Sequence, residues 1–362
     1  MANKTLFIGN NSAGLYLFRK ELMSKIIENG DEVVALTPFD EKIEEIEKLG
    51  VRLINTPMDR RGINPVTDFS LFLRYFRILK REKPDRVITY TIKPNVYGAL
   101  AARLLRIPYA ANITGLGTAF QNKGLLRTLV TLMYKLSLRG ARVVFFENTE
   151  NKNIIVGEKI IKEEKCCVLN GAGVNLEQYE VKPYPAADKP VKFLFIGRIM
   201  QEKGVDELFC ATQRLVADGV ECELNVLGYY DEEQYSKKIA EYEAEGWLKY
   251  HGFQNDVRPF IEMCHCFVLP SWHEGMANTL LENAAVGRPV ITSNIHGCKE
   301  AVIDELSGYL CEKQNSDSLY AAMKRFAKLE HSAKREMGIK GREHMENVFD
   351  KQKVVQKTIE NL

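Results

Sequence analysis

No histidine occurs before position 251 of this 362-residue chain, and no cysteine before position 166. The eight cysteines, Cys166, Cys167, Cys210, Cys222, Cys264, Cys266, Cys298 and Cys311, lack the spacing of a secreted disulfide framework. Free, mostly buried thiols in a reducing cytoplasm are therefore expected. Cys264-His265-Cys266 invites a zinc reading, but no second ligand pair follows at zinc spacing, and no metal site is expected. The opening FIGNNSAG fails the G-x-G-x-x-G dinucleotide fingerprint. No G-x-x-x-x-G-K-[ST] segment occurs, which removes P-loop NTPases, and neither a G-x-S-x-G elbow nor a D-x-D pair is present. No apolar run reaches the ~20 residues of a membrane-spanning helix. The first residues enter a strand-like segment without a signal-peptide core, so a cytoplasmic protein is expected.

What is there reads as a globular enzyme: 45% hydrophobic and 27% charged residues, at a length that suits two domains. Apolar strands alternate with amphipathic helices from KTLFIG (4–9) to the C-terminus, the pattern of doubly wound parallel sheets. EVKPYPAADKP (180–190) interrupts it with three prolines and no periodicity, as a linker does. The expected organisation is a Rossmann-like α/β domain over 1–182, a linker over 183–190 and a second Rossmann-like domain over 191–346. Residues 347–362 are expected to form a helix packing back on the first domain. Charge is uneven. Between Arg52 and Arg142 stand 17 Lys/Arg against 4 Asp/Glu, a local excess of +13 in a chain of net +2.

In open α/β sheets, ligands bind outside the carboxyl ends of strands, beside helix N-termini. PSWHEGMANTLLENAAVGRPV (270–290) follows the strand CFVLP and starts a helix near Ala277 or Asn278. Gly275 lets backbone approach a ligand, and the amides of 276–279 suit a diphosphate. Glu274 is placed to reach a sugar and Glu282 ribose hydroxyls. An acid offsetting the helix dipole, with a solvent-facing glutamate, is an equally good reading of that spacing. In FIGRIMQEKGVDELF (195–209), Arg198 and Lys203 flank a loop at a strand end, well placed to neutralise a diphosphate leaving group without metal; two solvated basic residues are the plainer reading. FIGNNSAGLYLFR (7–19), with Asn11, Ser12 and Gly14, ends the first strand. TIKPNVYG (91–98), with Lys93 and Asn95, and NITGLGTAF (112–120), with Thr114, Gly115 and Gly117, each read as a turn alone; together, at adjacent strand ends, they suggest one site wall.

Taken jointly, these segments resemble the retaining GT-B glycosyltransferases of family 4, above all the branch that builds bacterial surface polysaccharides on lipid-diphosphate carriers. The stretch from Glu274 to Glu282 is similar to that family's E-x7-E motif and GRIMQEKG (197–204) to its G-R-…-K-G segment. NGAGVN (170–175) is similar to its N-G-x-G-V-D loop and YHGFQNDV (250–257) to its uracil-side loop. The resemblance implies two Rossmann-like domains facing a central cleft. It also implies a donor site of Gly14, Arg198, Lys203, Gly228, Phe253, Glu274, Gly275, Met276, Ala277, Asn278, Thr279 and Glu282. The acceptor side would comprise Asn11, Ser12, Lys93, Asn95, Thr114, Gly115 and Gly117. Glu274, Arg198, Lys203 and Lys93 would carry the chemistry. The implied reaction moves a hexose or N-acetylhexosamine from a nucleotide sugar, with uridine diphosphate as the expected carrier, to a lipid-diphosphate-linked saccharide. Configuration would be retained and neither metal nor further cofactor used. Many relatives place a histidine in the first domain; this chain has none there, Lys93 is the candidate for an equivalent place with its role left open, and Asn175 stands where aspartate is commoner.

FSLFLRYFRILKRE (69–82) and LLRTLVTLMYKLSLRG (125–140) combine apolar residues with Arg and Lys. Peripheral docking on the anionic inner face of the cytoplasmic membrane is expected from them; ordinary solvated helix faces are the plainer reading. No nucleic-acid signature accompanies the charge. Two rival functions remain: a sugar-nucleotide epimerase, disfavoured by the histidine-free first domain, and a catalytically silent sugar-nucleotide-binding protein.

Overall fold

A parallel sheet is covered on both faces, so its strands read as unbroken apolar runs; LFI (6–8), VVAL (33–36) and CFVL (266–269) are of this kind, and all are buried. The computed structural model of the chain describes residues 2–59, 64–116, 124–187 and 190–362. Among the described residues the named strands form two sheets in which every pairing is parallel. The first holds β1 (Lys4–Ile8), β2 (Glu32–Thr37), β3 (Arg52–Asn55), β4 (Arg86–Tyr90), β5 (Tyr109–Ile113), β6 (Val143–Phe146) and β7 (Cys166–Val168), in the order β3-β2-β1-β4-β5-β6-β7. The second holds β8 (Val191–Ile196), β9 (Cys222–Leu227), β10 (Leu248–Tyr250), β11 (Cys266–Leu269), β12 (Val290–Ser293) and β13 (Gly308–Cys311), in the order β10-β9-β8-β11-β12-β13. Both sheets are doubly wound as expected. The order reverses at β1/β4 and at β8/β11, which opens a crevice outside the carboxyl ends of those strands.

Alternate side chains set the layers of the first unit. Leu6 and Ile8 point to one side, under Leu71, Tyr75 and Ile78 of the helix Pro65–Glu82 and Tyr134 and Leu138 of the helix Leu125–Leu138. Phe7 points to the other, toward Leu15, Leu22, Met23 and Ile26 of Ser12–Glu28 and Val355 of the C-terminal helix. The second unit has its own core, built around Phe193, Phe195, Phe209, Phe267, Leu280, Leu281 and Phe326. One helix differs from expectation. PNVYGALAARLLR opens with a π-helical turn, Pro94–Gly98, before the α-helix Ala99–Leu104. The wider turn accompanies an inward Asn95, which accepts from the Thr89 hydroxyl (2.7 Å) and donates to the Asn112 carbonyl (2.8 Å).

The chain divides into residues up to Ala172 with Gln352–Leu362, and Gly173–Lys351. Residues 173–187, expected to finish the first domain and begin a linker, instead belong to the second unit. Their carbonyls have a fixed partner there. Arg288, fully buried, donates to the carbonyls of Lys182 (3.2 Å), Pro183 (2.9 Å), Ile261 (2.9 Å) and Glu262 (2.9 Å). The Tyr184 hydroxyl donates to the His265 carbonyl (2.7 Å), and the His265 ring bridges the Ala186 carbonyl and the Lys192 amide. His265 thus spends both ring nitrogens on backbone. Replacing Arg288 with Met should remove about 3 kcal/mol or more of stability in urea unfolding, because the stranded carbonyls stay buried. A loss under ~0.5 kcal/mol, the size of a neutral surface change, would contradict this role.

Candidate functional site

At the β8/β11 reversal, three loops are drawn together by glycines that bring backbone against backbone. Gly228, after β9, has φ +141°, and a Cβ there would stand 1.8 Å from the Gly197 carbonyl oxygen. Gly204, after the short turn Gln201–Lys203, has φ +71° and the same relation to the Pro270 carbonyl oxygen at 2.1 Å. No side chain fits either place. Backbone bonds complete the assembly: Ile199 donates to Tyr229 (2.9 Å), Asp231 to Ile199 (3.1 Å) and Trp272 to Glu202 (2.9 Å).

On this scaffold stand the two expected cations. Arg198 follows β8 and pairs with Asp231 at 3.0 Å. Lys203 pairs with Glu274, which also accepts from the Ser271 hydroxyl (2.7 Å). Arg198, Lys203 and Glu274 thus sit at the ends of β8 and β11, as the spacing suggested. Asp231 and Ser271 were missed. Asp231 lies within the acidic DEEQ run and reads as solvated; only the crossing of two loops reveals its partner.

The helix after β11 runs from Asn278 to Ala285. Of the amides expected to face a ligand, that of Ala277 is taken by the Gly297 carbonyl (2.8 Å), which leaves Asn278 and Thr279 as first-turn donors. Met276 and Ala277 turn their side chains into the core and offer a ligand backbone only. Gly275 and Glu274 pass close to Gly297, whose Cβ would stand 2.6 and 2.7 Å from their carbonyl oxygens. Glu282 lies inside the helix and accepts from the Tyr179 hydroxyl, another residue the sequence did not flag. Arg342 ties Tyr179 to this helix by donating to the carbonyls of Tyr179 and Ala285, both at 2.8 Å. Phe253, 59% exposed, lies beside the exposed Tyr229 with ring centroids 6.4 Å apart.

In the first unit, the residues at the β1/β4 reversal are placed differently from expectation. Asn11 caps the helix Ser12–Glu28 through its side chain, which accepts from the Gly14 amide. Gly14 lies in that first turn, where a Cβ would meet the cap oxygen at 2.6 Å; the cap explains this glycine without a ligand. Ser12 is buried, with its hydroxyl shared between Asp40 and the Glu41 carbonyl. Asn95 is buried too. Ser12 and Asn95 are therefore supports rather than contact surface. Lys93 is turned to Asp68 at 2.8 Å, and Asp68 also accepts from Tyr97 (3.1 Å). Asp68, in the first turn of an otherwise basic helix, was the available signal for this cluster. Thr114 and Gly115 follow β5, with nothing within 4 Å of a Gly115 Cβ, and Gly117 lies outside the described residues.

Acids from beyond its bounds offset part of the basic excess: Arg86 pairs with Asp31 (2.6 Å) and Arg127 with Glu158 (2.7 Å). Among the described residues Arg77, Lys80, Lys135 and Arg139 have no carboxylate partner and are exposed. Near them in sequence stand exposed Val66 and Phe69 on one helix and Leu129, Leu132 and Leu136 on the other. Among the described residues no helix is long and apolar enough to cross a membrane.

Burial pushes the Glu282 carboxyl up to about 7, against the Tyr179 hydrogen bond and the Lys351 charge, which lower it. Unfolded, this group titrates at ~4.3. A raised acid is held protonated by the fold, so its ionisation costs stability as pH rises from the unfolded value through about 7. The residue keeps a partly exposed edge, where solvent screens part of this effect. The unfolding free energy of Glu282→Gln relative to the native chain should increase by roughly 1–3 kcal/mol between pH 5 and pH 8. A difference independent of pH would contradict a desolvated carboxyl.

Comparison with known proteins places these features in a family. Residues 178–344 match the model for glycosyl transferases group 1, and residues 18–169 that for a glycosyl transferase 4-like domain. The chain is 28% identical over 330 residues to the N,N'-diacetylbacillosaminyl-diphospho-undecaprenol alpha-1,3-N-acetylgalactosaminyltransferase of Campylobacter jejuni, covering 86% of each chain. It is 29% identical over 293 residues to the UDP-Gal:alpha-D-GlcNAc-diphosphoundecaprenol alpha-1,3-galactosyltransferase of Escherichia coli, covering 76% of this chain and 74% of the other. In fold it is similar to an Anabaena protein crystallised with UDP and glucose, with TM-score 0.81 at 16% identity, covering 99% of this chain and 98% of that one. A glycosyltransferase from Rickettsia africae gives TM-score 0.79 at 17% identity, covering 99% and 97%. With two glycosyltransferase models accounting for its two units in turn, the chain belongs to the GT-B glycosyltransferases, with a 4-like domain followed by a group 1 domain.

Proposed function

We propose that this glycosyltransferase moves a hexose or N-acetylhexosamine from a UDP-sugar to a lipid-diphosphate-linked saccharide, with retention of configuration and without a metal. The observation that carries the reading is the placing of Arg198, Lys203 and Glu274 at the β8/β11 reversal, beside the first-turn amides of Asn278 and Thr279. In this reading the guanidinium, the ammonium and the amides hold the donor diphosphate. They stabilise the negative charge that gathers on it as the glycosidic bond breaks, which is the work a metal would otherwise do. Glu274 engages the transferred sugar and Glu282 the ribose, with Phe253 toward the base. The acceptor hydroxyl attacks the anomeric carbon on the face that the diphosphate leaves, and its proton passes to the departing phosphate oxygen. Lys93, held by Asp68, serves the acceptor side. The names of the Campylobacter and E. coli relatives, both acting on undecaprenyl-diphosphate-linked sugars, support the acceptor class.

The test is UDP release from UDP-sugars in the presence of undecaprenyl-diphosphate-linked saccharide and EDTA, with the anomeric configuration of the product read by NMR. Arg198→Ala and Lys203→Ala should each lower turnover by ~10²-fold or more, as loss of an electrostatic stabiliser does. Native rates in both variants, or an inverted product, would overturn the scheme.

The same reading puts the first unit against the cytoplasmic face of a membrane. Unpaired Arg77, Lys80, Lys135 and Arg139, with exposed Phe69, Leu129, Leu132 and Leu136, supply charge and apolar contact together. Binding to vesicles should rise with their anionic lipid content and fall with salt, each basic group contributing about 1 kcal/mol. Binding indifferent to both would end the membrane assignment.

A further inference from the structure

Arg198 does not stand alone at the end of β8. Its Nη1 lies 3.0 Å from Oδ2 of Asp231, on the loop after β9. The arrangement is built rather than incidental. The Ile199 amide donates to Tyr229 and the Asp231 amide to Ile199, while Gly228 lies directly beneath the Gly197 carbonyl, so the two loops cannot separate without breaking backbone bonds. Asp231's side chain is 16% exposed and that of Arg198 37%, so the carboxylate is the more enclosed partner and the guanidinium the more open one. Glu232, the next residue, accepts from the Gln201 amide (3.2 Å) and holds a second negative charge beside the same turn.

A guanidinium carries five N–H donors and can serve a carboxylate and a phosphate together. The two anions nevertheless repel each other across it. We propose that Asp231 competes with the donor diphosphate for Arg198, weakening the site's hold on the nucleoside diphosphate so that this product leaves after transfer. The proposal rests on the assignment of Arg198 to the diphosphate. Lys203 differs in this respect, since its carboxylate partner Glu274 is the group assigned to the sugar. Asp231 is not assigned to the sugar, and its charge bears on the donor through Arg198.

The consequence is contrary to what loss of a structural contact does: removing Asp231 strengthens anion binding. In calorimetric titrations, Asp231→Asn and Asp231→Ala should bind UDP and inorganic pyrophosphate about tenfold more tightly than the native chain, the scale of relieving one like-charge contact. Uridine, which carries no phosphate, should bind unchanged. Asp231→Glu should keep the pair and behave as native, and adding Arg198→Gln to Asp231→Asn should abolish the gain. In turnover the donor KM should fall in Asp231→Asn, and kcat with it as UDP release slows. If Arg198→Gln weakens UDP binding but neither Asp231→Asn nor Asp231→Ala strengthens it, the inference about Asp231 is wrong and the diphosphate assignment stands. If Arg198→Gln leaves UDP affinity untouched, the diphosphate assignment falls and this inference with it.

Discussion

A diphosphate is a compact, strongly hydrated anion, and a protein that holds it without metal must supply fixed positive charge and unspent amides at one point. In the proposed reading the second unit does this where its sheet reverses. β8 and β11 send their connections to opposite faces, and between them stand Arg198, Lys203 and the start of the helix at Asn278. The rest of the local structure follows from keeping those groups in register. Gly204 and Gly228 are the residues that allow it, since any side chain there would strike the carbonyl of Pro270 or Gly197. The loops are thus held together by backbone contact.

Each cation is balanced by a carboxylate, Arg198 by Asp231 and Lys203 by Glu274. The balance limits the cost of gathering like charges in one crevice. Glu282 differs: burial raises its carboxyl toward neutrality, against the Tyr179 hydrogen bond and the Lys351 charge, which favour the ionised form.

Much of the architecture was legible in the sequence because parallel strands, covered on both faces, leave unbroken apolar runs that alternate with helices. The E-x7-E spacing and the G-R-…-K-G segment were legible for a related reason: each lies directly after such a run, so position along the chain already implies a strand end. Pairing was not legible. Asp231, Ser271, Tyr179 and Asp68 gain their meaning from loops or elements that meet only in the fold. Proline-rich 180–190 read as a linker because the buried guanidinium that binds its carbonyls, Arg288, comes about a hundred residues later. Asn11, Ser12 and Gly14 looked like an open ligand loop; their cap and their bonds to Asp40 and Glu41 are long- and short-range contacts that composition does not reveal.

The claim on which the account turns is that the donor's diphosphate is gripped at the β8/β11 reversal. A crystal structure of the chain with UDP bound tests it directly. The account predicts β-phosphate oxygens within about 2.7–3.2 Å of the Arg198 guanidinium, the Lys203 ammonium and an amide of the Asn278 helix. A diphosphate seated elsewhere, with Arg198 and Lys203 still turned only to Asp231 and Glu274, would contradict it.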